Sequence, residues 1–441
     1  MSVYKYMAGI VDTITGGEED DNYDPHQHRK IQRPTSYADT MIHLLKGSIG
    51  AGIMAMPSAF NRMGLIAGSI GMILVGIFAT YCIQLLISTQ YELCKKWRRG
   101  YIGYPKSMRL SIQDGPPCLR WSAGLFYYFV ELVLTIWQLG ICCIYIIFVA
   151  ENVKQVCDYY DYVHSLRMHM VFQLLPQILL NLIKTLKLLT PLSTISNLCT
   201  MLAFILVFFY LIEEDVTVSK EDLMLKNFLD IPIFIGITLF ALEAVGVVLA
   251  LEYNMENPKH FVGLFGLFNI GMTIIVVAYS LIGIFGFLKY GSTIQASITL
   301  NLPQDQKKAQ FAKVILALAI FLSFPLQNFV AYTLIWRKIK KRLHHAQKTV
   351  VDYTLRVTLV LLPWGLGMLM PFLGPFIALF GAFCLSLLAI VFPGMMSSCH
   401  WYPDRYGRCY YRLLRDSTVI ILGLLMLVAG CYTSVLEILE S

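Results

Sequence analysis

The sequence predicts an all-α polytopic membrane protein with about eleven transmembrane helices. Of the 441 residues, 57% are hydrophobic and only 14% are charged, whereas soluble domains average about 25% charged residues. Apolar runs of roughly 20 residues, the length that crosses the hydrocarbon core of a bilayer, recur along the chain from residue 40 onwards. Basic residues, which give a net charge of +7, gather in alternate connections between these runs.

The apolar runs divide the chain into an N-terminal tail, residues 1–39, and a transmembrane domain, residues 40–441. The tail contains GGEEDD and DPHQHRK and has no apolar core of signal-peptide length, so we expect a disordered cytosolic segment that is not cleaved. A tight turn is expected at MPFLGP, between the ninth and tenth spans. The predicted spans, in chain order, are Thr40–Asn61, Leu65–Leu93, Ser122–Ala150, Met168–Ile183, Leu192–Ile212, Ile231–Leu251, Phe261–Leu288, Phe311–Trp336, Thr354–Met370, Pro371–Met396 and Thr418–Leu436.

Basic residues predict the orientation of these spans. The connection after the second span contains CKKWRRGYIGYPKSMRL, the one after the eighth contains WRKIKKRLHHAQK, and the one after the tenth contains four arginines between Arg405 and Arg415. The connection after the fifth span, EEDVTVSKEDLMLKN, is mainly acidic. The positive-inside rule therefore places the N-terminus in the cytosol and the C-terminus outside it. We expect the plasma membrane, with the lysosomal or late endosomal membrane as the alternative.

The first span is unusually rich in glycine for a membrane helix. It reads HLLKGSIGAGIMAMP from His43 to Pro57 and contains Gly47, Gly50 and Gly52. Glycine in a helix interior costs about 1 kcal/mol relative to alanine, and an unwound segment in lipid exposes polar backbone groups. Such a break is tolerated where the freed groups face protein or a ligand. Close packing against another helix through the same small residues is the alternative interpretation.

The sixth span contains a carboxyl group in mid-membrane, Glu243, followed by Gly246. A carboxyl at that depth marks a functional or tightly paired site. The first and sixth spans are corresponding members of two five-helix halves, and interruptions in corresponding helices indicate a midplane substrate site in a transporter built from inverted repeats. Half-helix N–H groups suit a carboxylate and freed carbonyls suit an ammonium. The pattern therefore predicts a zwitterionic amino acid as substrate, with its carboxylate on the first break.

Several polar residues within the spans have both a functional and an ordinary interpretation. His43 is a natural proton carrier because histidine titrates near neutral pH, but it also suits a polar cap at the cytosolic end of the first span. Lys46 lies on the same helical face and most simply extends to the cytosolic interface. Glu131 is a second candidate proton site, although pairing or extension to the interface is the interpretation we favour. Tyr145 and Ser323 either line the pathway or bond to neighbouring helices.

Sequence motifs in several spans occur together in one order: HLLKGSIGAGIMAMPSAF in the first, WQLGICCIYIIFVAEN in the third, LFALEAVGVVLALEYNMENPKHF in the sixth, GFLKYGSTIQASITLNLP after the seventh and FPLQNFV in the eighth. They resemble the proton-coupled amino acid transporters of the amino acid/auxin permease group, within the APC superfamily. The resemblance implies a LeuT-like fold, with two inverted five-helix repeats, broken helices one and six, and one extra helix. It implies proton-driven or facilitated movement of small amino acids, with His43 at the place of the family's proton-responsive histidine. It also places Phe240, Glu243 and Gly246 in the sixth-helix pattern.

The chain departs from this family pattern in three places. Ala51 stands where the family usually has a hydroxyl residue in the first break, and Ala244 stands where it usually has glycine after the sixth-helix glutamate. Some members have a disulfide between the loops after the third and seventh spans. Cys157 fits the first of these loops, but the stretch 289–310 contains no cysteine, so we expect no such bond here.

The broken spans and the resemblance together predict a secondary active transporter that moves small neutral amino acids (alanine, glycine or proline) by proton symport. A facilitator, or an amino-acid-sensing transceptor with little flux, is the alternative. No HExxH, GxSxG or phosphate-loop motif is present, so we predict no enzyme activity, cofactor, metal or nucleic-acid partner, and a proton as the co-transported species. The predicted proton-coupling residues are His43 and Glu243. The predicted substrate-binding residues are Ser48, Ile49, Gly50, Ala51, Gly52, Tyr145, Phe240, Glu243, Gly246 and Ser323.

Overall fold

The computed structural model of the protein describes residues 23–29, 31, 34–48, 50–184, 186–212, 227–242, 245–403 and 406–440. Within these ranges the chain is helical, with one parallel backbone bridge between Thr35 and Met255. Eight of the described helices are long and apolar enough to cross a membrane, and they correspond to the predicted second, third, fifth and seventh to eleventh spans. Their bounds are Leu65–Lys96, Ala123–Tyr159, Pro191–Ile212, Leu267–Thr293, Lys307–Arg342, Gln347–Leu369, Leu373–His400 and Tyr411–Glu440.

The other three predicted spans are built from shorter helices. The first consists of Tyr37–Ser48, Ala51–Met54 and Met56–Met63, and the sixth consists of Asp230–Ala241 and Val245–Asn254. The fourth is one helix of 16 residues, Leu166–Asn181, shorter than the roughly 20 residues that cross a bilayer. The predicted interruptions in the first and sixth spans are therefore present, whereas the count of eleven spans stays a prediction.

The tenth span packs closely on the first half of the sixth. A Cβ placed on Gly236 would lie 2.5 Å from the carbonyl oxygen of Ala378, and a Cβ on Gly381 would collide with the carbonyl of Gly236. Only glycine fits at both positions, because these contacts join backbone to backbone. The same span contains a π-helical stretch, Gly381–Val391, a feature that often occurs at functional sites. The turn predicted before it is present, between Leu369 and Leu373.

Burial separates central helices from peripheral ones. In the third and tenth spans, 72% and 83% of the most apolar stretch is buried, against 28% in the fifth and eleventh. The peripheral helices present large apolar side chains outwards at helical spacing, which is the pattern of a lipid-facing surface. On the second span this row consists of Ile66, Ile70, Ile73, Leu74 and Ile77.

Part of the predicted tail lies against the end of the sixth span. Arg29 donates from its guanidinium to the carbonyl oxygens of Tyr253 at 2.6 Å and Met255 at 3.0 Å. Thr35 adds two backbone hydrogen bonds, from its N–H to the carbonyl of Asn254 and from the N–H of Glu256 to its own carbonyl, each 2.9 Å long. Disorder was predicted for the whole tail, residues 1–39, and stays a prediction; residues 1–22, 30, 32 and 33 of it lie outside the described ranges.

The same N-terminal segment also contacts the second span and the connection after it. The His26 ring stacks on Tyr91 with a centroid separation of 4.7 Å, and the backbone of His28 touches Gly100. Burial lowers the pKa of the His26 side chain to about 4, so at neutral pH this histidine is uncharged. We call this end of the bundle, defined by residues 23–29, 95–109 and 252–260, the basic end.

Candidate functional site

The two helix interruptions lie next to each other. A Cβ placed on Gly52, at the start of the first span's second half, would be 2.7 Å from the Cα of Ala241. Ala241 is the last residue of the sixth span's first half. Side-chain carbon atoms do not approach a backbone so closely, so glycine is needed for the two breaks to touch. The structure thus brings Gly50, Ala51, Gly52 and Phe240 of the predicted set together.

Tyr279 of the seventh span joins the two half-helix ends. Its hydroxyl donates to the carbonyl oxygen of Ser48 and lies 3.0 Å from the carbonyl oxygen of Ala241. The tyrosine side chain is fully buried. Both carbonyls stand at helix C-termini, where the chain offers them no intrahelical donor and where the helix dipole places partial negative charge.

Sequence reasoning did not single out Tyr279. The available signal was a tyrosine in the middle of the apolar run IIVVAYSLIG, because a buried tyrosine hydroxyl needs a hydrogen-bond partner. That signal does not say where the partner is, and here the partners are backbone groups of two distant spans.

Gly50 borders open space within the site. Its backbone is extended, with φ −149° and ψ −154°, and apart from its chain neighbours no atom of the described residues lies within 4 Å of a Cβ built on it. The next helix begins at Ala51 without a side-chain cap from Gly50. The first N–H groups of that helix therefore have neither an intrahelical acceptor nor a capping side chain.

Aromatic side chains fill the volume beside the breaks. The Phe240 ring meets the Trp137 ring of the third span edge to face, with centroids 5.3 Å apart. Both side chains are buried, and Phe240 also touches Gly381 of the tenth span. Tyr145, two turns further along the third span than Trp137, is half-buried and packs against the core. These contacts make the site narrow.

Two predicted hydroxyl ligands make bonds within or between helices. The hydroxyl of Ser48 donates to the carbonyl of Leu44, 3.1 Å away on its own helix. The hydroxyl of Ser323 lies 2.6 Å from that of Ser196 on the fifth span, the helix-to-helix contact that was the alternative interpretation. Their predicted role in substrate binding stays a prediction.

The other predicted residues are either outside the described ranges or away from the contact between the two breaks. Ile49, Glu243 and Ala244 lie outside the described residues, and Gly246 belongs to the described helix Val245–Asn254. His43 is exposed on Tyr37–Ser48, five residues before the break and therefore about 7.5 Å from Ser48 along the helix axis.

Glu131 is paired, as the favoured interpretation predicted. Its carboxylate forms an ion pair with Lys338 of the eighth span and accepts a hydrogen bond of 3.1 Å from the Tyr127 hydroxyl. The Lys338 ammonium also lies 4.5 Å from the centroid of the Tyr128 ring. These contacts join the third span to the eighth through charge-assisted bonds.

Two solved structures share the fold of this chain. The closed conformation of Mhp1, a nucleobase-cation-symport-1 family transporter with bromovinylhydantoin bound, matches with a TM-score of 0.52 and 13% identity, covering 96% of this chain and 94% of that one. The inward-facing conformation of Mhp1 matches with a TM-score of 0.55 and 13% identity, covering 94% and 91%. These likenesses support the LeuT-like fold, while the inverted repeat stays a prediction.

Relatives in sequence cover nearly the whole chain. The Drosophila melanogaster "proton-coupled amino acid transporter-like protein pathetic" is 34% identical over 421 residues, 95% of this chain and 89% of that protein. The Caenorhabditis elegans "probable amino acid transporter skat-1" is 25% identical over 436 residues, 93% of each. The family model described as "transmembrane amino acid transporter protein" matches residues 33–436. With its two interrupted helices meeting inside a bundle of apolar spans, this chain belongs to the transmembrane amino acid transporter family.

Proposed function

We propose that the protein carries small neutral amino acids, such as alanine, glycine and proline, across a membrane together with protons. The observation that carries this proposal is the meeting of the two interruptions at Gly52 and Ala241. Uncapped N–H groups after Gly50 suit a carboxylate, and the carbonyl ends at Ser48 and Ala241 suit an ammonium. The names of the two relatives support amino acids as the substrate class, and the name of the Drosophila relative supports proton coupling.

The preference for small side chains follows from the packing around the site. The buried rings of Phe240 and Trp137 occupy the volume beside Ala241. Gly50 is the position with open space beside it. A substrate whose main-chain groups lie along the breaks therefore has room for a short side chain only.

We further propose that the basic end faces the cytosol and that the plasma membrane is the location, with the lysosomal or late endosomal membrane as the alternative. The basic residues of the connections after the second, eighth and tenth spans support this orientation. In this orientation His43 lies on the cytosolic half of the first span, where protonation changes the field at the break without a long proton relay.

Uptake of a radiolabelled amino acid panel, measured at acidic and neutral external pH, tests the function. Proton symport gives saturable uptake of small neutral amino acids that rises as the external pH falls, with inward current. Equal uptake at both pH values would instead indicate a facilitator, an outcome that the departures at Ala51 and Ala244 would explain. Binding without uptake or current would indicate a sensor.

Glu243→Gln is expected to lower uptake severely. Glutamine keeps the shape and hydrogen bonding of the side chain but removes the charge that balances a substrate ammonium or a proton. Uptake kinetics normalised to surface protein measure the effect. Glu256→Gln, which changes an exposed carboxyl at the end of the sixth span, serves as control and should transport normally. Wild-type affinity in Glu243→Gln would assign the carboxyl a structural role.

His43→Ala is expected to remove the pH response of transport. The imidazole of histidine can bind and release a proton, and alanine cannot. The measurement is the ratio of uptake at acidic to neutral external pH, with His260→Ala as control because His260 is an exposed histidine at the basic end. A correctly inserted His43→Ala variant with the wild-type pH profile would assign the coupling elsewhere, with Glu243 next to be tested.

A further inference from the structure

We propose that Tyr279 is a positioning residue that sets the separation of the two half-helix ends and redirects its hydroxyl hydrogen bond from one end to the other during transport. The proposal rests on the proposed function and adds a residue on the seventh span to it. Its basis is the hydroxyl placed between the carbonyl oxygens of Ser48 and Ala241.

A tyrosine hydroxyl has one proton to donate. Two carbonyl acceptors therefore compete for it, and a full hydrogen bond to one weakens the bond to the other. Both acceptors are inside the protein, since Ser48 and Ala241 are 5% and 2% exposed. A buried carbonyl without a donor is unfavourable. The hydrogen bonds of the hydroxyl therefore favour an arrangement in which both half-helix ends lie close to it.

The two acceptors belong to halves that lie towards opposite ends of the bundle. Ser48 is the last residue of the helix Tyr37–Ser48, and this helix begins next to the basic end. Ala241 ends Asp230–Ala241, whose continuation, Val245–Asn254, reaches the basic end and the carbonyls bonded by Arg29. Movement of either half away from the site removes one acceptor, and the hydroxyl then donates its full hydrogen bond to the other. The buried hydroxyl then keeps a partner whichever end of the site opens.

The seventh span packs closely on both halves of the first span and can therefore hold Tyr279 between the two half-helix ends. We call the Tyr279 hydroxyl and the carbonyls of Ser48 and Ala241 the joint. A Cβ on Gly271 would lie 2.5 Å from Leu44 of the first span's first half, and one on Gly283 would collide with Phe60 of its second half. These glycines and Tyr279 are eight and four residues apart, so they share one face of the helix. That face lies along both halves of the first span and holds the tyrosine at the break between them.

The test compares Tyr279→Phe with Tyr104→Phe in the full-length protein. Phenylalanine keeps the ring and removes only the hydroxyl. Tyr104 is the matched control because it is buried and donates to one backbone carbonyl, that of Leu388 at 2.5 Å, away from the breaks. Two measurements are made on each variant: amide hydrogen exchange of residues 37–48 and 230–241 in lipid nanodiscs, and the KM and Vmax of proline uptake.

In Tyr279→Phe we expect faster exchange in both segments and a KM raised by about tenfold, the effect of losing one buried hydrogen bond, with Vmax changed less. In Tyr104→Phe we expect wild-type exchange and KM. Wild-type exchange of both segments in Tyr279→Phe would overturn the proposal, as would a loss of Vmax with unchanged KM. Faster exchange in a protein whose wild type shows no uptake would support the joint and refute the proposed function.

Discussion

Gly50→Val is expected to abolish amino acid uptake in a protein that still folds and reaches the membrane. The extended backbone of Gly50 suits a β-branched residue, and within the described part of the chain only its sequence neighbours come within 4 Å of the added Cβ. The valine side chain therefore enters the space beside the uncapped N–H groups, where the substrate carboxylate is proposed to bind. Radiolabelled proline uptake, normalised to surface-biotinylated protein, should fall by more than about tenfold, equivalent to about 1.4 kcal/mol of binding.

Two further glycine variants test whether Gly50→Val blocks the substrate site or prevents folding. Gly365→Val adds the same side chain to the ninth span, where the Cβ again meets no atom from other described segments within 4 Å, and should transport normally. Gly52→Ala places a methyl group 2.7 Å from the Cα of Ala241, forces the breaks apart, and should lower both surface protein and uptake. Undiminished uptake by Gly50→Val would refute the proposed position of the carboxylate.

Asp352→Leu is expected to destabilise the folded protein strongly. Asp352 of the ninth span accepts hydrogen bonds from Arg356 at 2.9 Å and from the Tyr332 hydroxyl at 2.6 Å. Arg356 is 4% exposed and also donates to the carbonyls of Asn181 and Ile183, at 3.1 and 3.0 Å. Removal of the carboxylate leaves a buried guanidinium without its counter-charge, which costs about 3–5 kcal/mol. Thermal unfolding of purified protein measures the change.

The double variant Asp352→Leu/Arg356→Leu tests the cause of that loss. It removes the Arg356 guanidinium as well as the Asp352 carboxylate, so no unpaired charge stays buried. It should therefore unfold at a higher temperature than Asp352→Leu alone. The two uncapped carbonyls that it leaves, on Asn181 and Ile183, cost about 1 kcal/mol each. If the double variant unfolds at the same temperature as Asp352→Leu or at a lower one, packing, and not charge pairing, holds this cluster together.

The sequence predicted the elements whose signal is local. Apolar length located the long spans, and Gly50 and Gly52 predicted the first interruption, because an unfavourable residue type in a helix is visible without knowledge of its neighbours. Pairing of Glu131 was predicted on the same basis, although its partner Lys338 was not, since the approach of the third and eighth spans depends on the whole bundle.

The parts that escaped prediction are polar side chains with backbone partners. Tyr279 and Arg29 donate to carbonyls of distant segments, and every residue carries a carbonyl, so nothing in the sequence distinguishes the acceptor. The bond between Ser323 and Ser196 is a similar case, because either serine had many possible neighbours. A donor can therefore be suspected from its residue type, while its acceptor requires the fold.

The contact between Arg29 and the end of the sixth span has a consequence for how this protein can diverge. Its guanidinium acceptors on the sixth span and just after it, at Glu252, Tyr253, Met255 and Glu256, are all carbonyl oxygens. Side chains at 252–256 can therefore change over evolutionary time without removing the acceptors. The donor has no such tolerance, because lysine offers a single ammonium in place of the planar fork of arginine. We expect natural sequences to vary at positions 252–256 and to keep arginine at position 29.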